Sequence, residues 1–434
     1  MYATSPSRIS RHLAKACVAA LVLSWTSVTV AGASEVEQGL GAELNELMAY
    51  ARQHNPSLTA SRMDAAAAQE RIRSTTALPD PQIELELMDV TNAMNPGRSA
   101  SLLPGRVGTT SWRLTQMLPY PGKLALRGDV AQAQAAGSEA DALQTLQEVE
   151  AAIARAHIAH YQVVRKAHIL RESMALNDSL TEVTLRRYAR GLASQQEVLV
   201  LQAERTALRI EVVELERNRT LAQVRLNALL GRSPDAPLTE PQALPPSPAP
   251  VSLSAVIERA SQQSPLLRKA RADVLAAERQ QALTHRGRYP DFGVSIANNR
   301  PRGGRDSWDL RVEINLPLQQ TSRRAQEREA TLAQSAAEAR QLEAAVRVAE
   351  SVGEAHATLV ARMEQLRLLQ AVLLPQNQAS LESARAGYES GSSGFEPVLA
   401  AQQRLLGNRL ALLEAEVEAA LAAADLKQRV GDSW

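Results

Sequence analysis

The chain has 434 residues, of which 48 are lysine or arginine and 47 are aspartate or glutamate, so its formal charge at pH 7 is only +1. This balance argues against a nucleic-acid partner, because binding a polyanion requires a basic surface. Aromatic residues make up 3% of the chain and Cys17 is the only cysteine, so long helices are favoured over a conventional compact core and no disulfide is expected.

Residues 1–33 have the pattern of a secretory signal peptide. Three cations precede an apolar run over 16–30, and small residues follow that run, which predicts cleavage near Ala33. The run is too short and too interrupted to span a bilayer. No other segment approaches the roughly 20 apolar residues of a membrane helix. Any membrane crossing must therefore use strands.

The first half of the mature chain begins with a predicted helix over 44–77, which Asn55 and Pro56 interrupt. Two segments in which apolar and polar residues alternate come next. This period of two predicts strands with one apolar and one polar face. Their apolar positions are Ile83, Leu85 and Leu87 in one segment and Trp112, Leu114 and Leu118 in the other.

A very long helix is predicted over 122–189, since no proline interrupts the pattern and Gly137 is tolerable; at 1.5 Å per residue it would measure about 100 Å. Its apolar residues alternate spacings of three and four, which is a heptad seam. The seam consists of Leu146, Val149, Ile153, Ala156, His160, Val163, Ala167, Leu170 and Met174. The return helix continues it with Val198, Leu201, Leu208, Val212, Leu215, Ala222, Leu226 and Leu229.

A second apolar stripe on the return helix predicts neighbours on more than one side, which favours a tube of helices over a two-stranded coil. The stripe consists of Leu199, Ile210, Val213, Leu221 and Val224.

The chain is an internal duplication. The segment LNELMAYARQHNPSLTASRMD at 44–64 aligns with LSAVIERASQQSPLLRKARAD at 253–273, and seven prolines over 233–250 predict an extended connector. We therefore divide the chain into a signal peptide, a first repeat, a proline-rich linker and a second repeat. Their bounds are 1–33, 34–232, 233–250 and 251–434.

The second repeat is expected to follow the plan of the first. One of its strands has apolar residues from Trp308 to Leu316 at every second position, with charged or polar residues between them, and the other has Phe292, Val294 and Ile296. A charged face suits either solvent or the water-filled lumen of a membrane barrel. Aromatic residues near the strand ends suit an interfacial belt; they are Trp112, Trp308, Tyr120 and Tyr289. The return seam comprises Leu406, Leu410, Leu413, Val417, Ala420 and Ala424.

No catalytic motif is visible, so the chain is not expected to be an enzyme or to hold a cofactor. His157 and His160 are three residues apart, with His168 further on, but no carboxylate or thiol joins them at the spacing of a metal site. His160 also lies on the packing seam. We therefore expect interface histidines and no metal.

Four strands cannot close a membrane barrel, because the smallest natural barrels have about eight. Two copies of the chain would supply eight strands and three would supply twelve. The sequence pattern alone does not choose between them.

The whole arrangement resembles the TolC outer-membrane efflux family over nearly all of the mature chain. The segments ALPDPQI at 77–83 and QMLPYPGKLALR at 116–127 are similar to that family's strand boundaries, particularly in its heavy-metal efflux branch. The resemblance implies a mainly α fold with a small transmembrane β part, in which a helix, a β-hairpin and a long helical hairpin are duplicated. It implies a homotrimer with a 12-stranded β-barrel and an α-helical periplasmic barrel.

The resemblance also assigns roles to the two helical turns. The segments YARGLASQQEVL at 188–199 and YESGSSGFEPVL at 388–399 are similar to the family's periplasmic hairpin tips, which implies adaptor docking. The docking residues would be Tyr188, Gly191, Leu192, Ser194, Tyr388, Gly391 and Ser392. Glu197 matches a periplasmic gate position, whereas in the second repeat Pro397 stands there and Glu396 is one residue early. The alternative role for Glu197 is a carboxylate in the first turn of a helix.

The expected function is passive conduction of small solutes, including heavy-metal cations or drugs, by an outer-membrane channel subunit that lies mostly in the periplasm. The implied partners are a periplasmic adaptor (membrane fusion) protein, an inner-membrane pump of RND type and outer-membrane lipid. An outlet for type I protein secretion is the alternative within the same fold. A periplasmic helical-hairpin adaptor and a soluble helical scaffold are the alternatives from other classes.

Overall fold

The computed structural model describes residues 40–94, 97, 99–246 and 252–432, so the predicted signal peptide lies outside the described residues. The first half contains α1 (Leu44–His54), α2 (Pro56–Thr76), β1 (Gln82–Met88), β2 (Thr109–Leu118), α3 (Lys123–Ala189) and α4 (Gln195–Leu230). The second half contains α5 (Leu253–Gln263), α6 (Pro265–Arg286), β3 (Asp291–Pro301), β4 (Ser307–Asn315), α7 (Gln320–Leu368), α8 (Leu374–Ser390) and α9 (Phe395–Val430). The predicted order of helices and strands is confirmed in both halves.

The predicted break at Asn55 separates α1 from α2. The Asn55 carboxamide oxygen accepts hydrogen bonds from the backbone N–H groups of Ser57 at 2.8 Å and Leu58 at 3.1 Å. Pro56 takes the first helical position, where the missing N–H costs nothing. The break therefore ends one helix and caps the next.

Helix α3 has 67 residues, which is about 100 Å at 1.5 Å per residue. Its seam residues Ile153 and Leu170 are fully buried, as are Leu201 and Leu226 of α4. This burial confirms the predicted seam between the two helices. None of the described helices has an apolar stretch that meets the length and hydropathy requirements of a membrane span.

The largest core lies around the middle of α3. Leu47 of α1, Ile153 of α3, Leu226 of α4 and Val417 of α9 belong to one buried cluster. Residues 233–246 of the linker lie over this level, where Leu238 and Leu244 pack against the core and the Thr239 N–H donates to the Leu40 carbonyl at 2.9 Å. The core therefore joins both halves through the helices and the linker.

All four strands form one antiparallel sheet in the order β1-β2-β3-β4. The pairing of β2 with β3, which places Leu114 opposite Ile296, joins the two halves of the chain. Strands β1 and β4 are the outer strands, so each has one edge that no strand in the described part of the chain pairs.

The second helical hairpin differs from the first in one respect. A π-helical turn over Leu369–Leu373 separates α7 from α8, whereas α3 is continuous. Pro375 follows two residues into α8, where it lacks an N–H donor and its ring crowds the carbonyl four residues earlier. The expectation of an identical plan in the two repeats therefore fails at this turn.

Candidate functional site

One face of the sheet is largely apolar. The register aligns Ile83, Leu114, Ile296 and Leu310 in a single row across the four strands. These side chains are exposed, Leu310 by 73%. Burying one side chain of this size would stabilise the protein or its assembly by about 1.5–3 kcal/mol. A contiguous apolar face indicates contact with lipid or with another apolar surface.

The opposite face of the sheet is charged. Arg113 of β2 forms ion pairs with Glu84 at 3.0 Å and with Glu86 at 3.5 Å, both on β1. The same face carries charged residues of β4, namely Asp309, Arg311 and Glu313. The predicted alternation of faces is therefore confirmed, and the charged face is suited to water.

Aromatic residues lie at both ends of the apolar face. At the helix end, the rings of Tyr120 and Tyr289 stack with centroids 4.5 Å apart. At the other end, Trp112 and Trp308 flank Asn298 in one cross-strand row. Amphipathic rings at two levels are typical of the two interfaces of a bilayer.

The first helical tip joins α3 to α4. Gly191 has a φ of 74°, and the Leu192 N–H donates to the Arg187 carbonyl at 2.9 Å, which closes the end of α3. Glycine is suited to this left-handed conformation because it has no Cβ. The chain then turns into α4.

Ser194 caps the start of α4 through a reciprocal pair of hydrogen bonds. The Glu197 N–H donates to Ser194 Oγ at 3.3 Å, and the Ser194 N–H donates to Glu197 Oε1 at 3.1 Å. This capping box satisfies two backbone donors that the helix itself leaves unpaired. The alternative role of Glu197, as a carboxylate in the first turn of a helix, is therefore confirmed.

The second helical tip joins α8 to α9 without such a cap. Gly391 has a φ of 80°, and the Ser392 N–H donates to the Gly387 carbonyl at 2.9 Å. Gly394 precedes α9 and contributes no side-chain hydrogen bond. The two tips thus share the glycine turn and differ in how the return helix begins.

Tyr388 links the two tips from a buried position. Its hydroxyl donates to Glu197 Oε2 at 2.9 Å. The Arg187 guanidinium lies 4.5 Å above its ring and also donates to its carbonyl at 2.7 Å. Burial raises the pKa of the Tyr388 hydroxyl above its usual value, and the Glu197 carboxylate acts in the same direction, so this hydroxyl remains a donor.

The predicted docking residues fall into two groups. Most are exposed, with Leu192 exposed by 61%; these are Tyr188, Gly191, Leu192, Ser194, Gly391 and Ser392. Tyr388 is only 2% exposed and does not lie on the surface that the others form. The repeat alignment treated Tyr188 and Tyr388 as equivalent, and the structure separates them.

The helices present apolar stripes that the chain itself does not cover. The second stripe predicted on α4 is exposed, by 62% at Ile210 and 66% at Val213. Helix α7 has a similar stripe, which includes Leu332, Leu342 and Val346. Both stripes lie on the helical part of the molecule, away from the sheet.

Residues 47–232 and 256–432 match the profile of the family described as outer membrane efflux protein. The chain belongs to the outer membrane efflux protein family.

Named proteins of known sequence or structure are similar to this efflux protein over most of its length. It is 26% identical to outer membrane protein OprJ of Pseudomonas aeruginosa, over 91% of this chain and 85% of OprJ. It is 24% identical to outer membrane protein TolC of Vibrio cholerae, over 89% of this chain and 90% of TolC. Its fold is similar to that of CusC, with a TM-score of 0.75 at 16% identity over 91% of this chain and 94% of CusC.

Membership of the family confirms the predicted outer-membrane location and the predicted role in efflux. It decides against the periplasmic adaptor and the soluble scaffold. The family is one of channel proteins, and its description concerns transport and not catalysis.

The gate residues predicted for the efflux protein lie in different settings. Glu197 is engaged by both Ser194 and Tyr388. Glu396 is exposed in the first turn of α9, and Pro397 occupies the position equivalent to Glu197. The geometry therefore shows that Glu197 can hold the two tips together, whereas Glu396 lies outside that contact.

The paired histidines are buried in the helical core. His157 is 1% exposed and His160 is fully buried. The pKa of His160 is lowered to about 4, mainly by burial and in part by the nearby charges of His157 and Arg219. Within the part of the chain that the structure describes, no group of three potential metal-ligating side chains occurs.

Replacing His160 by leucine should reduce the sensitivity of the efflux protein to acid. The folded protein keeps this ring neutral, whereas the unfolded chain protonates it near pH 6.5. Its contribution is therefore fully present above pH 6.5 and is lost as the pH falls towards about 4. Over this range we expect the free energy of unfolding of the wild type to fall by up to about 3 kcal/mol more than that of the variant.

Thermal unfolding followed by circular dichroism over that pH range measures the difference. His168→Leu is the matched control, since His168 is exposed on the same helix. It should retain the pH dependence of the wild type. If the stability of the wild type and of His160→Leu depended equally on pH, His160 would not be the source of the acid sensitivity.

Proposed function

We propose that this chain is the outer-membrane channel subunit of a tripartite efflux system and works as a homotrimer. The observation that carries the proposal is the sheet, in which β1 and β4 each leave one edge unpaired within the described residues and one face is largely apolar. One copy has too few strands to close a barrel of even the smallest natural size, about eight. Three copies would supply twelve strands in a closed barrel without an edge.

The exposed helical stripes support the same assembly. Side chains such as Ile210 of α4 and Leu342 of α7 would be costly to leave in water in a finished particle. In a trimer, α4 of one copy and α7 of the next would cover each other, so that the helices form a closed periplasmic barrel. The barrel, through strand pairing, and the tunnel, through helix packing, would then close around one axis.

The proposed layout assigns each part of the chain to a compartment. The two repeats, 34–232 and 251–434, would each contribute two strands and one long hairpin, with the linker 233–250 between them. Residues 1–33 would be removed during export. The connections between paired strands would face the exterior, and the helical tips would lie about one α3 length away, deep in the periplasm.

Conduction through the channel would be passive. With the apolar face of the sheet against lipid, the face that carries Arg113 and Arg311 would line the lumen. Mixed charges and water suit small polar solutes, including heavy-metal cations or drugs, and an energised pump of RND type in the inner membrane would supply direction. Nothing in this lining selects one solute.

The tips are proposed to dock onto a periplasmic adaptor (membrane fusion) protein. Tyr188 is 48% exposed and Leu192 is 61% exposed, so the first tip offers apolar surface beside a glycine turn. Exposed aromatic and aliphatic side chains of this kind are common anchors in protein interfaces. Gly391 and Ser392 would extend the surface onto the second tip.

The contact between Tyr388 and Glu197 is proposed to hold the gate closed. It joins the two hairpins of one copy at the narrow end of the tunnel, and Arg187 reinforces it from above the ring. Opening would require the hairpins to separate, so adaptor binding must favour the separated state by more than these contacts favour the closed one. Tyr388 would then act in gating, and the exposed tip residues would act in docking.

Replacing both Gly191 and Gly391 by tryptophan should abolish pump-dependent resistance, because the bulky rings would obstruct the adaptor. The matched control replaces both glycines by alanine. Alanine carries the same strain at positive φ but adds little bulk, since a Cβ at Gly191 would meet no heavy atom within 4 Å. Resistance is measured in cells that contain the adaptor and pump of a tripartite efflux system, with outer-membrane trimer quantified in parallel.

The alanine variant should retain most of the resistance. Full resistance in the tryptophan variant, with a normal amount of trimer, would show that the tips do not dock.

Replacing Tyr388 by phenylalanine should make the channel open more often. The ring contacts remain, but the hydroxyl that donates to Glu197 is lost, which removes a hydrogen bond to a charged group worth about 1.5 kcal/mol, or roughly tenfold in the opening equilibrium. Single-channel recording of the trimer in planar bilayers measures the open fraction. Tyr188→Phe is the control, and an open fraction unchanged by Tyr388→Phe would refute the gate assignment.

A further inference from the structure

We propose that a cluster of arginines at the helix-distal end of the sheet binds the phosphate groups of lipids in the outer leaflet. The cluster, called the arginine rim below, consists of Arg106, Arg300, Arg302 and Arg305. The inference rests on the proposed function, in which the sheet crosses the outer membrane with this end outward.

Arg300 extends the apolar face beyond its aromatic boundary. In the register, Arg300 lies opposite Thr110, two residues further out than the row of Trp112, Asn298 and Trp308 and on the same face of the sheet. Two residues correspond to about 7 Å along a strand. A cation just outside the tryptophan level lies at the depth of lipid headgroups.

The side chain of Arg300 is oriented and accessible. Its Nε donates to Asn298 Oδ1 at 2.9 Å and lies 3.2 Å from Asp306 Oδ2, and the side chain is 63% exposed. These contacts engage one edge of the guanidinium. Its terminal nitrogens can make the paired hydrogen bonds that phosphate accepts.

Arg302 holds the two outward connections together. Its backbone N–H donates to the Gly108 carbonyl at 2.9 Å, and its Nη1 donates to the Arg106 carbonyl at 2.6 Å. The connection between β1 and β2 is thereby fixed against the connection between β3 and β4. The rim is therefore assembled from both repeats.

Charge at the rim is predominantly positive. The two connections contain two carboxylates, those of Asp89 and Asp306. Asp89 is engaged within its own turn, where it accepts hydrogen bonds from the Ala93 N–H at 2.8 Å and the Met94 N–H at 3.2 Å. Asp306 pairs with Arg300 and offsets one of the cations, so the rim keeps an excess of positive charge that complements an anionic membrane surface.

Apolar side chains beside the cations select a lipid over a free anion. Leu102 is 76% exposed and Leu103 is 54% exposed, and both precede Arg106 on the same connection. Leucine beside arginine provides contacts for an acyl chain and for a phosphate in one ligand. The geometry therefore fits a phosphorylated lipid, which inorganic phosphate would not replace.

The test compares two lipids that differ only in phosphate. Full-length mature trimer in phosphatidylcholine nanodiscs is incubated with bisphosphorylated lipid A or with the same lipid after dephosphorylation, and bound lipid is counted by native mass spectrometry. The wild type should prefer the phosphorylated form. Arg300→Gln combined with Arg305→Gln should lower that affinity about twenty-five-fold, since each cation near an anionic surface contributes about fivefold.

Arg311→Gln is the matched control, because it removes the same charge from the opposite face of the sheet. It should leave lipid binding unchanged. The proposal would be overturned if the wild type bound both lipids equally. It would also be overturned if Arg311→Gln lost as much affinity for phosphorylated lipid A as the double variant, or if inorganic phosphate displaced lipid A. Failure of the wild-type protein to form a trimer in nanodiscs would instead overturn the proposed function.

Discussion

The unpaired backbone edges of the four-stranded sheet are the constraint on which the rest of the assembly depends. In water, the free N–H and C=O groups of β1 and β4 would be solvated. In lipid each unsatisfied group costs several kcal/mol, so an open sheet cannot stay in a bilayer. The apolar face, exposed by 73% at Leu310, draws the same sheet into lipid. The proposed pairing with further copies of the chain would satisfy both conditions.

The helices also need neighbours, but they need them for the packing of apolar side chains and not for backbone hydrogen bonds. A helix as long as α3 is stable only with lateral neighbours, and α1, α4 and α9 provide them at the level of Ile153 and Leu226. Stripes on the outer helices, such as that of Ile210, have no such neighbours among the described residues and stay exposed. Closure by sister copies would thus order the tips, where the bond from Tyr388 to Glu197 can be exchanged for contacts with a partner.

The sequence predicted those features that local periodicity determines. Alternation in β4 predicted a two-faced strand, the seam through Ile153 and Leu170 predicted the buried side of α3, and Asn55 with Pro56 predicted a helix break. Features that depend on distant contacts were missed. Tyr388 is buried because the other hairpin supplies Thr184 and Arg187, some 200 positions earlier, and no local pattern distinguishes it from the exposed Tyr188. The π-helical turn before Pro375 was also missed, because a proline in a helix is compatible with several local backbone conformations, such as a kink or a π-helical turn.

Cysteine cross-linking between the two edge strands tests the central claim most directly. Cys17 is the only natural cysteine. Once it is removed with the signal peptide or replaced, disulfides between introduced cysteines can be detected without interference. Within one chain, β1 and β4 are separated by three strand spacings, about 14 Å, which is beyond the roughly 7 Å between Cα atoms that a disulfide tolerates. Scanning β1 positions near Leu85 against β4 positions near Leu310 in intact outer membranes should yield covalent trimers for at least one register. A protein that stays monomeric without detergent, with no cross-link at any register, would contradict the account.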